Sequence, residues 1–453
     1  MNLDCFKAYD VRGKVPEALS PALALEIGFA YVQEFNIKNV VIGHDARLSS
    51  PDLYKALATG LQCAGANVVG IGMCGTEEIY HATAYIQENG IPFDGGIMVT
   101  GSHNPKDENG LKFVRENSIP ISSDTGLLAI KERIIKEQQI PADLTGTFIE
   151  RSYRPEYIKK LLSYIDTREL TPFKIVATPG NGCAYLALKE LIPHLPFEII
   201  LVDETPDGTF PNGIPNPLLP ENREKTAELV RKHKADFGIA WDGDFDRCFF
   251  YDSNGRFIEG YYIVGMLASA LLKSNPHEKI VHDPRLTWNT IELVNENNGI
   301  NIDSKSGHAF IKETMRKENA LYGGEMSAHH YFRDFAYCDS GMLPWLLAAE
   351  LLSTSGQSLA SFVDARIKAY PCSGEINSKV ESISSILEKI ENTYKDSAKV
   401  INKIDGLSME FTDWRFNVRG SNTEPVLRLN VESRANETLM QEKTKELLAL
   451  IRG

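Results

Sequence analysis

Asp242, Asp244 and Asp246 stand at i, i+2 and i+4 in the segment Ala240-Trp241-Asp242-Gly243-Asp244-Phe245-Asp246-Arg247. In extended backbone alternate side chains share a face, so the spacing predicts three convergent carboxylates. Such a group repels itself unless a cation sits among the oxygens, and a hard ion such as Mg²⁺ takes oxygen ligands. A calcium EF-hand is excluded by position: that loop wants Gly sixth and Glu twelfth, where this chain has Arg247 and Ser253. The flanking Ile239, Phe245 and Phe249 predict partial burial, which favours a metal site over a solvated acidic turn.

Ser102 lies in Thr100-Gly101-Ser102-His103-Asn104-Pro105, after the strand-like run Gly96-Ile97-Met98-Val99. The closing proline restricts the residue before it, so the turn is stiff and presents one hydroxyl. A serine hydroxyl is a weak nucleophile unaided, but as a phosphoester it stores and donates a phosphoryl group. Taken alone, this serine reads as a cap or turn residue.

Two further loops carry recognition chemistry. Tyr322-Gly323-Gly324-Glu325-Met326-Ser327-Ala328-His329-His330 closes a strand with hydrogen-bonding groups that suit sugar hydroxyls. Zinc is disfavoured there, because adjacent histidines rarely chelate together and no partner stands at ligand spacing. Arg415-Phe416-Asn417-Val418-Arg419-Gly420-Ser421-Asn422-Thr423-Glu424-Pro425 combines guanidinium, hydroxyl and backbone amide donors around a glycine, a composition that cradles phosphate or makes a plain polar turn. Arg12, Lys112, Arg285 and His308 are further cationic candidates near turn signals.

The elements that must hold these loops are short β-branched runs alternating with helical periodicity: Val40-Val41-Ile42-Gly43, Val68-Val69-Gly70-Ile71, Ile175-Val176-Ala177, Ile199-Ile200-Leu201-Val202, Phe237-Gly238-Ile239-Ala240 and Ile280-Val281-His282. That alternation predicts α/β layers with functional loops at the carboxyl ends of strands. From about Glu375 two helical stretches flank strand-like segments, an α+β pattern. Connectors are expected around Gln139-Ile140-Pro141, Asn254-Gly255 and Tyr370-Pro371-Cys372-Ser373-Gly374.

A chain of 453 residues exceeds what one core usually supports, so several domains are expected. The formal charge of −13 opposes a general nucleic-acid or anionic-membrane surface, so an anionic substrate must meet locally placed cations. Seven scattered cysteines without a C-x-x-C pair suit a reducing, cytoplasmic setting. Neither a signal peptide nor an apolar stretch long enough to span a bilayer is read; the longest, around residues 263–272, is too short.

In order along the chain, AYDVRG from Ala8, TGSHNP, the stretch from Thr205-Pro206-Asp207-Gly208 to Pro217, DGDFDR, GEMSAHH and RGSNTEP resemble the motif series of the phosphohexomutase superfamily. The resemblance covers essentially the whole chain and is strongest to the bacterial phosphomannomutase/phosphoglucomutase branch. It implies three related α/β domains with mixed, mainly parallel sheets, plus a C-terminal α+β domain, around a central cleft. On that scheme residues 1–150 carry the phosphoserine loop, 151–254 the metal loop, 255–368 the sugar loop and 369–453 the phosphate loop.

The resemblance further implies that Ser102 is the phosphoserine and, with Asp242, Asp244 and Asp246, holds one Mg²⁺. Ser102, Lys112, Arg12, His103 and Arg247 match the catalytic set, with Lys112 or a histidine in proton transfer. Arg285, His308, Glu325, Ser327, His329, Arg419, Gly420, Ser421, Asn422 and Thr423 match substrate-binding positions. The implied reaction interconverts mannose 1-phosphate and mannose 6-phosphate through a phosphoserine and a hexose 1,6-bisphosphate, which also serves as activator, for GDP-mannose supply. Glucose phosphates are the alternative substrates; a phosphosugar phosphatase and a non-catalytic phosphosugar-binding protein are more distant readings. The implied partners are small hexose phosphates, with neither nucleic acid nor membrane, in a monomer or weak homodimer. Three positions depart from the pattern: Gly101 replaces a frequent Ala, a change expected to matter little because neither side chain reacts; Ala328 replaces the usual Gly; and Gly75-Thr76-Glu77-Glu78 lacks a Pro after Thr76. Met326 stands where the glucosamine branch has Gln.

Overall fold

The structure is a computed structural model describing residues 3–136, 139–420 and 426–453. It divides into two compact units, Met1–Phe257 with Asp334–Thr354, and Ile258–Arg333 with Ser355–Gly453.

In the first unit the β-branched runs become strands buried on both faces, as central parallel strands require. Val40, Val41 and Ile42 are fully buried in strand Asn39–His44, which pairs in parallel with Gly95–Val99 and Asn67–Met73. Phe148–Glu150 extends that parallel set at one edge. At the other, Glu108–Arg115 lies antiparallel between Gly95–Val99 and Val11–Lys14. Helix Pro21–Phe35 starts at Ser20, whose hydroxyl caps the amide of Leu23, with proline in the first turn. It packs closely on helix Ser50–Cys63, because a Cβ at Gly60 would fall 1.9 Å from the carbonyl oxygen of Leu25.

A second mixed sheet in this unit orders Glu198–Leu201, Lys174–Thr178, Phe237–Trp241 and Cys248–Asp252, with only the last pair antiparallel. Segment Asp334–Thr354 packs here too: the Gly341 carbonyl accepts from Trp241 Nε1 at 2.8 Å, and Glu77 Oε1 accepts from the Met342 amide at 3.2 Å.

The second unit repeats the mixed pattern in Ile300–Asp303, Lys279–His282, Tyr322–Gly324 and His330–Phe332. It adds an antiparallel sheet ordered Ile376–Lys379, Val426–Ser433, Trp414–Gly420, Leu407–Glu410 and Val400–Asn402. Helices Ile383–Tyr394 and Glu437–Arg452 supply the other half of its core, with Ile390, Leu447 and Ile451 against Phe416, Leu429 and Val431. The mainly parallel α/β sheets and the α+β tail are those expected. The apolar run around residues 263–272 lies in helix Gly260–Ser274, most of which is buried; no described helix is long and apolar enough to cross a membrane.

Candidate active site

Ser102 follows strand Gly95–Val99 and holds the left-handed conformation, φ +48, that L-residues adopt only when their surroundings dictate it. What dictates it is a buried ion pair invisible in the motif itself. Asp45 accepts from the Gly101 amide at 2.9 Å and from the Arg47 amide at 3.0 Å. Arg47 donates to four carbonyls of the loop: Pro105 at 2.6 Å, Glu108 at 2.9 Å, Ser102 at 3.0 Å and Asn104 at 2.6 Å. The expectation that Gly in place of Ala at position 101 matters little is corrected here, because a Cβ at that position would lie 2.2 Å from Arg47 Nε and must displace this clamp.

Replacing Arg47 by methionine therefore removes the donors to the loop and strands the Asp45 charge in the interior. The expected cost is about 3–5 kcal/mol, read as a lowered denaturant midpoint. Lysine is expected not to rescue it, since one ammonium cannot reach four carbonyls arranged for a planar fork.

The three aspartates do converge, but not by strand alternation. Strand Phe237–Trp241 ends before them, and the chain turns, with the Phe245 amide bonded to the Asp242 carbonyl at 3.1 Å and Phe245 at φ +47. The turn leaves one oxygen of each of Asp242, Asp244 and Asp246 within 4.8 Å of the others. Ser102 Oγ donates to Asp242 Oδ2 at 2.8 Å and lies 3.1 Å from His103 Nδ1. Arg247 brackets Asp242 through Nε at 2.9 Å and Nη2 at 2.7 Å, and Nη2 also reaches Ser102 Oγ at 3.4 Å and contacts His103 Nδ1. Lys112 Nζ sits 2.7 Å from Asp244 Oδ2 and 2.5 Å from Asp246 Oδ2, and Thr76 Oγ1 donates to Asp244 at 2.5 Å. Arg12 joins the group by donating to the Thr100 carbonyl at 3.0 Å while paired with Asp10.

Burial dominates the electrostatics. It pushes the Asp246 carboxyl well up, with the neighbouring Asp244 charge adding to the effect, and raises Asp242 despite Arg247. Burial opposes the charge of Asp244 as well, but Lys112 holds that carboxyl below the usual range. His103 is kept neutral by burial and by the adjacent Arg247. A divalent metal fits this cluster: every donor is a hard oxygen, the carboxylates repel one another, and among the described residues the buried Oδ1 of Asp244 has no hydrogen-bond partner.

The second unit carries Arg285, His308, Glu325, Ser327, His329, Arg419 and Gly420, and contacts join Arg285, Glu325, Ser327 and His329. Residues 325–329 form the tip of the hairpin between Tyr322–Gly324 and His330–Phe332, closed by the Glu325 amide on the His329 carbonyl at 3.0 Å. Glu325 accepts from the Gly307 amide at 2.7 Å and the Tyr331 hydroxyl at 2.6 Å, so it is tied to the start of helix His308–Glu318. Its pKa is raised by burial in spite of Arg285. Ser327 Oγ lies 3.4 Å from both Arg285 Nη2 and His329 Nδ1. Ala328 adopts φ +68, which explains the glycine usual at that position.

The two histidines diverge. His329 lies 3.5 Å from Glu325, whereas His330 is fully buried on the Tyr322 hydroxyl at 2.6 Å. Burial lowers the His330 pKa from 6.5 to about 3, so it stays neutral in the fold while the unfolded chain protonates below pH 6.5. Stability from this residue is whole above pH 6.5 and is lost as pH falls towards 3, about 2 kcal/mol by pH 5. Denaturant midpoints across that range are expected to fall for the native protein and less steeply for His330→Gln.

Arg419 and Gly420 end strand Trp414–Gly420, while the predicted Ser421, Asn422 and Thr423 lie outside the described residues. Arg415, counted above in the phosphate cradle, is instead a scaffold residue. It is buried against Glu432 at 2.8 Å and donates to the Pro284 and Arg285 carbonyls at 2.9 and 3.1 Å, so it holds the loop that carries Arg285.

The residues missed from sequence share a signal. His44-Asp45-Ala46-Arg47-Leu48-Ser49 and His282-Asp283-Pro284-Arg285-Leu286-Thr287 are near copies, each following a parallel strand. In each the aspartate accepts from the amide two residues on and from the amide of a functional loop, Gly101 for Asp45 and Met326 for Asp283. The same device thus fixes the serine loop and the 325–329 hairpin tip, and the arginine distinguishes them: Arg47 turns onto loop carbonyls, Arg285 onto Asp283, Ser327 and Glu375.

Sequence signatures of four domains match this chain: phosphoglucomutase/phosphomannomutase alpha/beta/alpha domain I at residues 4–141, domain II at 155–255, domain III at 259–370, and the C-terminal domain at 375–449. The chain belongs to the phosphoglucomutase/phosphomannomutase family, and so to the phosphohexose mutases, which act on small hexose phosphates. Among its relatives are a Xanthomonas campestris pv. campestris protein described as a phosphohexose mutase, 55% identical over 453 residues and all of both chains, and the phosphomannomutase of Escherichia coli K12, 53% identical over 456 residues and 99% of both. A phosphomannomutase of Salmonella typhimurium is 54% identical over 457 residues, again 99% of both. The crystal structure of a phosphoglucomutase/phosphomannomutase family protein from Burkholderia thailandensis superposes with a TM-score of 0.89 at 31% identity, over 100% of this chain and 98% of that one.

Proposed function

We propose that this protein is a phosphomannomutase, reversibly converting mannose 1-phosphate and mannose 6-phosphate, with glucose phosphates as the alternative substrates. The observation that carries the reading is the Ser102 hydroxyl, 2.8 Å from Asp242 in a buried three-carboxylate cluster. Such a serine suits a phosphate carrier. Full-length relatives named phosphomannomutase support the sugar assignment.

In this mechanism phospho-Ser102 gives its phosphoryl group to the free hydroxyl of a hexose monophosphate. The serine P–O bond breaks, a sugar P–O bond forms, and the hydroxyl proton leaves to a neighbouring base. The hexose 1,6-bisphosphate then returns its other phosphoryl group to Ser102, and the proton returns to the sugar oxygen. Arg247, with Nη2 3.4 Å from Ser102 Oγ, steadies the charge that grows on the departing oxygen. Lys112 neutralises Asp244 and Asp246 and, held charged by them, is a donor rather than a base in this state. His103 is neutral with Nδ1 3.1 Å from Oγ, so it is placed to accept a proton, although burial and the adjacent Arg247 make it a weak base in this state. Mg²⁺, held by the serine phosphate with Asp242, Asp244 and Asp246, would supply positive charge to the transferred phosphoryl group. Glu325, Ser327 and His329 orient the sugar hydroxyls, and Arg285 and Arg419 take the phosphate that is not transferred, with Arg12 and His308 as further contacts.

The test is conversion of mannose 1-phosphate to mannose 6-phosphate with Mg²⁺ and a trace of hexose 1,6-bisphosphate, with kcat/KM compared against glucose 1-phosphate. Release of inorganic phosphate without isomerisation would make the protein a phosphatase, and a higher kcat/KM for glucose 1-phosphate would make it a phosphoglucomutase.

A further inference from the structure

Three guanidiniums in the second unit converge on one carboxylate. Glu375 Oε2 lies 3.4 Å from Arg285 Nη1 and 3.4 Å from Arg419 Nη2, and its Oε1 lies 3.3 Å from Arg428 Nη1. Neither Arg428 nor Glu375 belongs to any motif that suggested the function.

The lengths matter. Charge-assisted N–H···O bonds that hold a structure settle near 2.7–2.9 Å. Arg285 makes such a pair in the same cluster, with Nε and Nη2 on the two oxygens of Asp283 at 2.9 and 2.8 Å. Its third edge, facing Glu375, is loose by comparison. Among the described residues the buried Nε atoms of Arg419 and Arg428 have no hydrogen-bond partner. Among the described residues, carboxylates facing the cluster besides Asp283 and Glu375 include Glu325, 3.6 Å from Arg285, and Asp405, felt by Arg419. Three guanidiniums thus share one loosely held monoanion in a largely buried place, where donors left short of acceptors are costly.

We propose that Glu375 is a placeholder: its carboxylate occupies a phosphate-monoester site built from Arg285, Arg419 and Arg428, and the phosphate of the bound hexose phosphate displaces it. A dianion with three acceptor oxygens matches three converging forks better than a single carboxylate does. Glu375 is placed to leave. Its side chain is 22% exposed, it precedes strand Ile376–Lys379, and the residue before it, Gly374, is at φ +66, where a Cβ would approach no atom closer than 3.6 Å, the Glu259 carboxylate, among the described residues. The placeholder shields the arginines from one another in the free protein and lowers the apparent affinity for phosphate by the fraction of time it occupies the site. The inference rests on the proposed function for its ligand, a hexose phosphate, while the anion site itself does not.

The experiment is calorimetric titration of the dephosphorylated protein with inorganic phosphate and with mannose 1-phosphate at fixed ionic strength. Glu375→Gln is expected to bind inorganic phosphate about 3- to 10-fold tighter and to lower the KM for mannose 1-phosphate. Arg428→Gln is expected to bind phosphate about 10-fold more weakly. If Glu375→Gln does not fold, Glu375→Asp, which keeps the charge but shortens the reach, must give intermediate tightening. Equal or weaker phosphate binding in the Glu375 variants would show a permanent structural counterion and overturn the proposal. Wild-type turnover with no tightening sinks this inference alone. Tightening without any wild-type hexose phosphate turnover sinks the functional reading and leaves the anion site standing.

Discussion

Ser102→Ala is expected to leave a folded protein that turns hexose phosphates over at least about 10⁴-fold more slowly, because it removes the hydroxyl proposed to carry the phosphoryl between half-reactions. The substitution removes one hydroxyl that donates to Asp242 and leaves the Asp45–Arg47 clamp on the loop intact, so the melting temperature should hold within a few degrees. Ground-state binding should survive, since the groups assigned to the sugar lie on other loops. A large loss in kcat with KM little changed separates a lost phosphate carrier from a disturbed site. Undiminished turnover would mean that the serine has been misassigned.

Asp246→Asn should be almost as damaging to activity and nearly harmless to the fold. The carboxyl is buried, its pKa is pushed well up by that burial and by Asp244, and Lys112 keeps Asp244 at 2.7 Å as a partner when Asp246 loses its charge. A neutral isostere therefore relieves repulsion in the apo protein, and stability is expected to stay within about 1 kcal/mol of wild type. The charge it forfeits is one the divalent ion needs, and several kcal/mol of transition-state stabilisation corresponds to a fall in kcat/KM of about 10³-fold. Binding measured without turnover gives a second readout. Added Mg²⁺ should raise the melting temperature of the wild type by mass action and that of Asp246→Asn much less. An equal Mg²⁺-dependent shift in both would place the ion elsewhere.

These effects divide along the line between what was legible in sequence and what was not. Val40-Val41-Ile42 and the similar runs announced buried parallel strands because burial on both faces leaves no polar positions to blur the pattern. Ser102 and the aspartates stood out because their chemistry is rare in that packing. The geometry that joins them was not readable. Alternation at Asp242, Asp244 and Asp246 suggested extended backbone, yet the chain turns there on Phe245 at φ +47, a left-handed residue with nothing in its type to advertise it.

Arg47 and Asp45 were overlooked for a physical reason as well. They act on the backbone of residues more than fifty positions away, and carbonyls carry no sequence signature. The twin His-Asp-x-Arg-Leu segments were the available clue, since a repeated local motif after equivalent strands marks a repeated structural task. Glu375 and Arg428 offered no clue of any kind: their meaning comes from convergence with Arg285 and Arg419, which only the folded chain supplies.

The account stands on Ser102 as a carrier, and the state of that one residue through a half-reaction is what to measure. The protein would be incubated with hexose 1,6-bisphosphate and Mg²⁺, quenched in acid at short times and mapped by mass spectrometry, before and after a chase with mannose 1-phosphate. Phosphate on the Ser102 peptide, discharged in the chase with matching formation of bisphosphate, is the predicted result. No phosphate at Ser102, or phosphate lost only to water at a rate the sugar does not change, would contradict it.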